Sequence, residues 1–184
     1  MRGVGRGFLT GHTGPGRNPQ GRDADVAGID GVAFGVRDSL GGQMMHKPED
    51  FAGPWELRRS VRDHLHGQHG TLRGRAVFTA TDAARMTYEE TGTLRLENGA
   101  TMEATRRYLW EFAPDAVIVT FADGRSFHQF VPSGHGAGTD HPCGEDFYTV
   151  RYDFTRWPQW TAEWTVKGPR KDYVSSSVYV PSRA

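Results

Sequence analysis

Four charged side chains interrupt apolar rows of this sequence: Arg59, Glu90, Arg106 and Asp146. In the stretch TMEATRRYLWEF (residues 101–112), every second residue reads Met, Ala, Arg, Tyr, Trp and Phe, so an arginine lies on an otherwise apolar face. A buried charge without a partner is strongly destabilising. These four groups must therefore pair with one another or contact a charged or polar ligand.

Both interpretations follow from the same residues. In the first, the charges form an internal network that fixes the register of the strands, with Arg106 paired to Glu90 and Arg59 paired to Asp146. In the second, some of them line a cavity and bind a polar or anionic group, with Glu90 orienting Arg106. Aromatic residues in the same phase would form the walls: Tyr88, Tyr108, Trp110, Tyr148, Tyr152 and Trp164. The candidate ligand-binding residues are Arg59, Tyr88, Glu90, Arg106, Tyr108, Trp110, Trp164 and Lys171.

The segment GRSFHQFVPSGHGAGTDHPCGEDFY (124–148) holds the densest group of reactive side chains. Histidine carries protons near neutral pH, so His128, Asp146 and Tyr148 are candidates for acid–base catalysis, with Cys143 as an assisting nucleophile. His128 or His141 are also candidate ligands of a metal or haem. No C-x-x-C or H-E-x-x-H pattern supports a zinc site, however.

Alternating runs separated by turn signals predict the elements that carry these residues. Nine strands are predicted, at 55–63, 70–80, 85–96, 101–112, 115–122, 126–131, 146–154, 159–168 and 172–180. The sequence Asn98-Gly99 indicates a hairpin turn. A short helical turn is predicted near Pro48, since proline suits the first position of a helix.

Consecutive antiparallel strands joined by tight turns predict an all-β fold. A twisted sheet of about eight or nine strands closes to remove its exposed edges. We therefore expect a single closed, up-and-down, calycin-like (lipocalin-like) β-barrel over residues 51–181, large enough to hold one small ligand. A β-sandwich is the alternative.

The composition excludes several classes of protein. The 184 residues carry no net charge and show no basic stripe, so a nucleic-acid partner is not expected. No apolar run reaches the ~18 residues needed to span a bilayer, so no membrane partner is expected. The single cysteine precludes an intrachain disulfide, which fits a reducing, cytoplasmic location.

The first 45 residues contain 12 of the 24 glycines and no sustained periodicity. Such a segment buries too little apolar surface to offset the entropy of ordering it. We expect residues 1–45 to be a disordered tail, or the product of a start site assigned too early.

Two resemblances accompany this pattern. The tryptophan of GPWELRR and the basic residues of VKGPRKDY are similar to the calycin signature, in which a tryptophan on the first strand packs beneath a basic side chain near the end of the last strand. That likeness implies that Trp55 packs against Arg170 or Lys171.

The second resemblance is to a bacterial and fungal calycin-like domain family of unknown function. It rests on Trp55, Arg59, Gly70 and Gly74, and on YEETG (88–92), RRYLWEF (106–112), FADGRSFH (121–128), HPCGEDFY (141–148) and WTVKGPRKDY (164–173). It implies a lipocalin-like barrel and no particular activity.

Three functions remain open from the sequence. The first is binding of a small, partly apolar ligand that carries a polar or anionic group inside the barrel. The second is an enzyme on the same barrel, such as an isomerase, cyclase or lyase. The third is haem or metal binding.

Overall fold

Period-2 alternation of apolar and polar residues governs the structure, a computed structural model that describes residues 44–182. The prediction for residues 1–45 falls, except for its last two residues, outside this range. The elements are α1 (Pro48–Phe51), β1 (Gly53–Asp63), β2 (Gln68–Ala80), β3 (Arg85–Leu96), β4 (Thr101–Phe112), β5 (Val117–Phe121), β6 (Ser126–Phe130), β7 (His135–Ala137), β8 (His141–Cys143), β9 (Asp146–Asp153), β10 (Trp160–Gly168) and β11 (Lys171–Pro181).

The strands form one antiparallel sheet with the order β6-β5-β4-β3-β2-β1-β11-β10-β9-β7, and β8 pairs with β9. Pairing of the first strand with the last curls the sheet into a nearly closed barrel. Across the remaining seam, the backbone N–H of Thr139 donates to the carbonyl of Gln129 at 2.8 Å. The predicted all-β barrel is confirmed. The two strands beyond the expected nine are β7 and β8, which are too short to show a period.

A pair of glycines allows β2 and β3 to approach closely. Gly74 lies opposite Gly92 in the register, and a β-carbon at Gly74 would clash with the backbone of Thr91. Glycine in a strand interior commonly marks a place where another backbone approaches closely.

A β-bulge lies between β5 and β6. Val119 pairs with His128, whereas Thr120 pairs with Ser126, so Phe127 is the extra residue on its strand. The bulge turns two consecutive side chains towards the interior, because Phe127 and His128 are both buried. Strict alternation along this strand would place only one of these two neighbours inside the barrel.

Helix α1 closes one end of the barrel. It begins at Pro48 as predicted, and the Asp50 carboxylate accepts a hydrogen bond from the Lys47 backbone N–H at 2.8 Å. Phe51 is fully buried and packs against the rings of Phe78, Trp110 and Trp157, with centroids 5.1–5.6 Å away.

The calycin-type contact predicted for Trp55 is wrong. Trp55 lies opposite Pro181, the last residue of β11, whereas Lys171 begins that strand at the other end of the barrel. The Trp55 indole N–H instead donates to the carbonyl of Phe51 at 2.7 Å. The contact with Arg170 or Lys171 was predicted from a short motif. The register places Trp55 at one end of β11 and these basic residues at the other, too far apart for contact.

In the part of the chain that the structure describes, no helix has the length and apolar character needed to cross a bilayer.

We expect Phe51→Ala to lower the free energy of unfolding by about 3–5 kcal/mol, because it leaves a cavity under the end of the barrel. Phe147→Ala is the matched control. Phe147 is 44% exposed, and we expect its truncation to cost less than about 1 kcal/mol. Urea denaturation of both variants measures the difference; equal losses would contradict the role of Phe51 as an end closure.

Candidate functional site

Three strands bring a buried charge network to the middle of the barrel. Arg59 on β1 donates from Nη1 and Nη2 to the two carboxylate oxygens of Glu90 on β3, at 2.5 and 2.7 Å. Its Nε donates to the hydroxyl of Ser177 at 2.7 Å, so each of the three guanidinium nitrogens of Arg59 donates a hydrogen bond. The Tyr88 hydroxyl donates to Glu90 Oε2 at 2.7 Å.

Arg106 lies beside this network but makes no hydrogen bond to it. It pairs with Glu90 in the β3–β4 register, as predicted, but its Nε lies 3.9 Å from Glu90 Oε1, outside hydrogen-bond range. Its side chain is 20% exposed, against 3% for Arg59 and 1% for Glu90. Within residues 44–182, we find no hydrogen bond from the Arg106 guanidinium.

We call Arg59, Tyr88, Glu90 and Arg106 the charged pole. Together these four side chains carry one excess positive charge. Burial raises the pKa of the Glu90 carboxyl, but the charges of Arg59 and Arg106 and the hydrogen bonds from Arg59 and Tyr88 outweigh it and lower that pKa to about 2. Glu90 is therefore ionised at neutral pH. Two guanidinium cations share one carboxylate.

The predicted pairing of Arg59 with Asp146 is wrong. Strands β10 and β11 separate β9 from β1, so the two residues cannot meet across neighbouring strands. Asp146 instead accepts a hydrogen bond from Lys171 Nζ at 2.6 Å, and Lys171 also donates to the Tyr148 hydroxyl at 2.9 Å. This cluster ties the β10–β11 hairpin to β9.

A cavity adjoins the charged pole. It is small, about 30 Å³, or room for two or three water molecules, and it is partly open to solvent. The lining residues are Arg59, Tyr88, Glu90, Arg106, Tyr108, Trp110, Val119, Phe127, His128, Tyr152, Trp160, Ala162, Trp164 and Tyr179. Tyr108 and Trp164 are only partly buried, whereas most of the other aromatic walls are buried.

The candidate ligand-binding residues largely come together. Seven of the eight line this cavity, and only Lys171 does not. Besides Val119 and Ala162, the sequence analysis missed three aromatic residues of the lining: Phe127, Trp160 and Tyr179. The last two had a signal, because Trp160 shares a phase with Trp164 and Tyr179 shares one with Ser177. The signal for Phe127 was ambiguous, since alternation places either Phe127 or His128 inside and only the bulge places both there.

The candidate proton-transfer residues do not come together. His128 lines the cavity, and its Nε2 lies 2.8 Å from the Tyr152 hydroxyl. Asp146 and Tyr148 belong to the Lys171 cluster, and half-buried Cys143 lies on β8, opposite Asp146. None of these three lines the cavity.

Burial and the nearby His141 lower the pKa of His128 to about 3, so its imidazole is neutral at physiological pH. Burial also lowers the pKa of His141. Among the described residues, no three His, Cys, Asp or Glu side chains lie close enough together to hold a metal ion. The candidate metal ligands His128 and His141 therefore belong to no such cluster.

The chain belongs to a family of unknown function, DUF6314, whose model matches residues 51–181. Among curated proteins, none matches it in sequence.

Several solved structures are similar to the barrel. An S-type phycobiliprotein lyase, CPES, from Guillardia theta is 12% identical, with a TM-score of 0.55 over 74% of this chain and 91% of that one. Rv2717c from M. tuberculosis is 12% identical, with a TM-score of 0.42 over 73% and 94%. A redesigned β-barrel, mFAP1, bound to DFHBI, is 12% identical, with a TM-score of 0.37 over 72% and 97%. At this level of identity, the first similarity shows the lipocalin-like fold alone.

We expect Glu90→Gln to destabilise the protein by about 3–5 kcal/mol at pH 7, because it leaves two buried guanidinium groups without an anion. The pH dependence has a definite sign. The pKa of Glu90 is lower in the folded state, so the stability it contributes is present above its unfolded pKa and is lost as pH falls through about 2. The gap between wild type and variant should therefore narrow between pH 5 and pH 2.

Glu89→Gln is the matched control for that experiment. Glu89 is the adjacent residue on the outer face and lies 3.4 Å from Arg107, with both side chains more than half exposed. An exposed pair of this kind contributes at most about 1 kcal/mol. Urea denaturation across the pH range compares them, and a pH-independent gap for Glu90→Gln would contradict the assignment.

Proposed function

We propose that this barrel binds a small, partly apolar molecule through an anionic group that Arg106 contacts. The observation that carries the proposal is the charge count of the charged pole. The Glu90 carboxylate accepts hydrogen bonds from both terminal nitrogens of Arg59. Arg106 lines the same cavity, and its Nε lies 3.9 Å from Glu90 Oε1. A carboxylate or similar anion there would receive paired N–H donors and neutralise the excess charge.

The walls support an apolar body for the ligand. Ligand pockets combine aromatic surface with a few placed polar groups, and most residues that line this cavity are aromatic. Phe127 and Trp164 stack with parallel rings 5.0 Å apart, and Tyr108 stacks against Phe127 at 5.2 Å. A flat ring system would find similar contacts beside them.

The cavity volume limits the size of that molecule. Room for a few waters is less than an aromatic acid occupies, so binding requires side chains at the partly exposed edge to move. Tyr108, Trp164 and Arg106 are the partly exposed members of the lining, and they are the ones with freedom to do so. We expect binding to be slower than diffusion-limited encounter for this reason.

The proposal is tested with 2-naphthoate as the probe, by isothermal titration calorimetry. We expect saturable binding at one site per chain. Arg106→Gln should weaken it by roughly 10- to 100-fold, the range that corresponds to one hydrogen-bonded charge.

Arg107→Gln provides the control, since Arg107 lies next in sequence on the outer face and its loss should change affinity by less than about twofold. The uncharged 2-naphthamide should bind wild type and Arg106→Gln equally. Equal affinity of 2-naphthoate for the Arg106 and Arg107 variants would overturn the proposal.

A further inference from the structure

Two residues that line the cavity each have a buried polar atom without a hydrogen-bond partner within residues 44–182: His128 Nδ1 and Trp160 Nε1. Both residues are more than nine-tenths buried, at 6% and 1% exposure. Buried N–H groups in proteins are nearly always bonded, so each unpartnered atom requires an explanation. A third such atom, Ser175 Oγ, belongs to a residue outside the cavity lining.

Tyr152 is a neighbour of both residues. Its hydroxyl lies 2.8 Å from His128 Nε2, and its ring lies 5.9 Å from the His128 ring and 6.3 Å from the Trp160 ring. We call these three residues the neutral pole. Burial lowers the pKa of His128 and raises that of Tyr152 well above 10, so neither carries a charge near pH 7.

The neutral pole and the charged pole line one cavity and are joined by Tyr179. The Tyr179 ring stacks on Trp160 at 3.7 Å, and its hydroxyl lies 3.1 Å from that of Tyr88. A single small molecule between the two poles would therefore face a cation at one end and uncharged polar groups at the other.

The hydrogen count at the neutral pole defines what it can bind. The neutral imidazole and the phenol together have two polar hydrogens, and their mutual hydrogen bond uses one. Whichever ring nitrogen of His128 carries the hydrogen, one donor remains, on Nδ1 or on Tyr152 Oη. Trp160 Nε1 adds a second donor. Two donors and no charge suit a neutral oxygen acceptor.

We infer that the ligand carries, besides its anionic group, a carbonyl or hydroxyl oxygen at the opposite end of an apolar, ring-containing body, and that the neutral pole binds this oxygen. This inference rests on the proposed function and narrows the ligand to cyclic or aromatic oxo- or hydroxy-carboxylic acids. Arg106 holds the carboxylate, and Trp160 with the His128–Tyr152 pair donates to the distal oxygen.

Two probes of nearly equal shape test this inference: 4-acetylbenzoate, which has the carbonyl oxygen, and 4-isopropylbenzoate, which has a methyl group in its place. Isothermal titration calorimetry on the full chain gives the ratio of their dissociation constants. We expect wild type to bind 4-acetylbenzoate at least roughly fivefold more tightly, the preference of a site whose donors are otherwise unpaired.

The preference should fall below about twofold in Trp160→Phe and in Tyr152→Phe, each of which removes one polar group. Thermal unfolding monitored by circular dichroism verifies that each variant is folded, and Tyr152→Phe changes shape least. Arg106→Gln should weaken both probes alike and leave their ratio unchanged.

The outcomes separate the two proposals. Equal binding of the two probes by wild type, or a ratio that stays at its wild-type value in both Trp160→Phe and Tyr152→Phe, overturns the neutral pole as an oxygen site while leaving the anion site intact. Absence of saturable binding for both probes, or no effect of Arg106→Gln on either, overturns the proposed function together with this inference.

Discussion

The ion pair between Arg59 and Glu90 is the constraint on which the interior of the barrel depends. It joins β1 to β3 across β2, through two hydrogen bonds at 2.5 and 2.7 Å; Arg59 Nε also donates to Ser177, and Tyr88 donates to Glu90 Oε2. A buried charge pair is tolerated when its geometry is this complete. Glu90 is bonded to Arg59 and Tyr88, and its Oε1 lies 3.9 Å from Arg106 Nε, outside hydrogen-bond range. The second guanidinium is thereby kept in the cavity without a close anion.

Barrel geometry sets what surrounds that guanidinium. The bulge between β5 and β6 turns Phe127 and His128 inwards together, which adds an aromatic wall and an imidazole at one position along the strand. Phe51 closes one end of the barrel and excludes water from the rings beneath it. The cavity therefore combines low polarity with one unbalanced charge, a setting in which electrostatic contacts are stronger than in water.

The sequence predicted local pairing well and distant pairing poorly. Arg106 and Glu90 were placed opposite each other because a tight turn joins their strands, and the period of two then fixes the register. Arg59 and Asp146 were paired wrongly, since nothing in the alternation reveals that β10 and β11 lie between their strands. The inward position of Phe127 was also unreadable, because a bulge breaks the very period from which orientation is inferred. Trp160 lay in phase with Trp164, a recognised wall residue, and could have been included.

The most direct test of the unbalanced charge is a crystal structure of the protein soaked in sodium bromide, with anomalous scattering used to locate the anion. The account predicts a bromide inside the barrel, in hydrogen-bond contact with the Arg106 guanidinium, while Arg59 remains paired with Glu90. A cavity without bromide, in which Arg106 itself donates hydrogen bonds to Glu90, would contradict it.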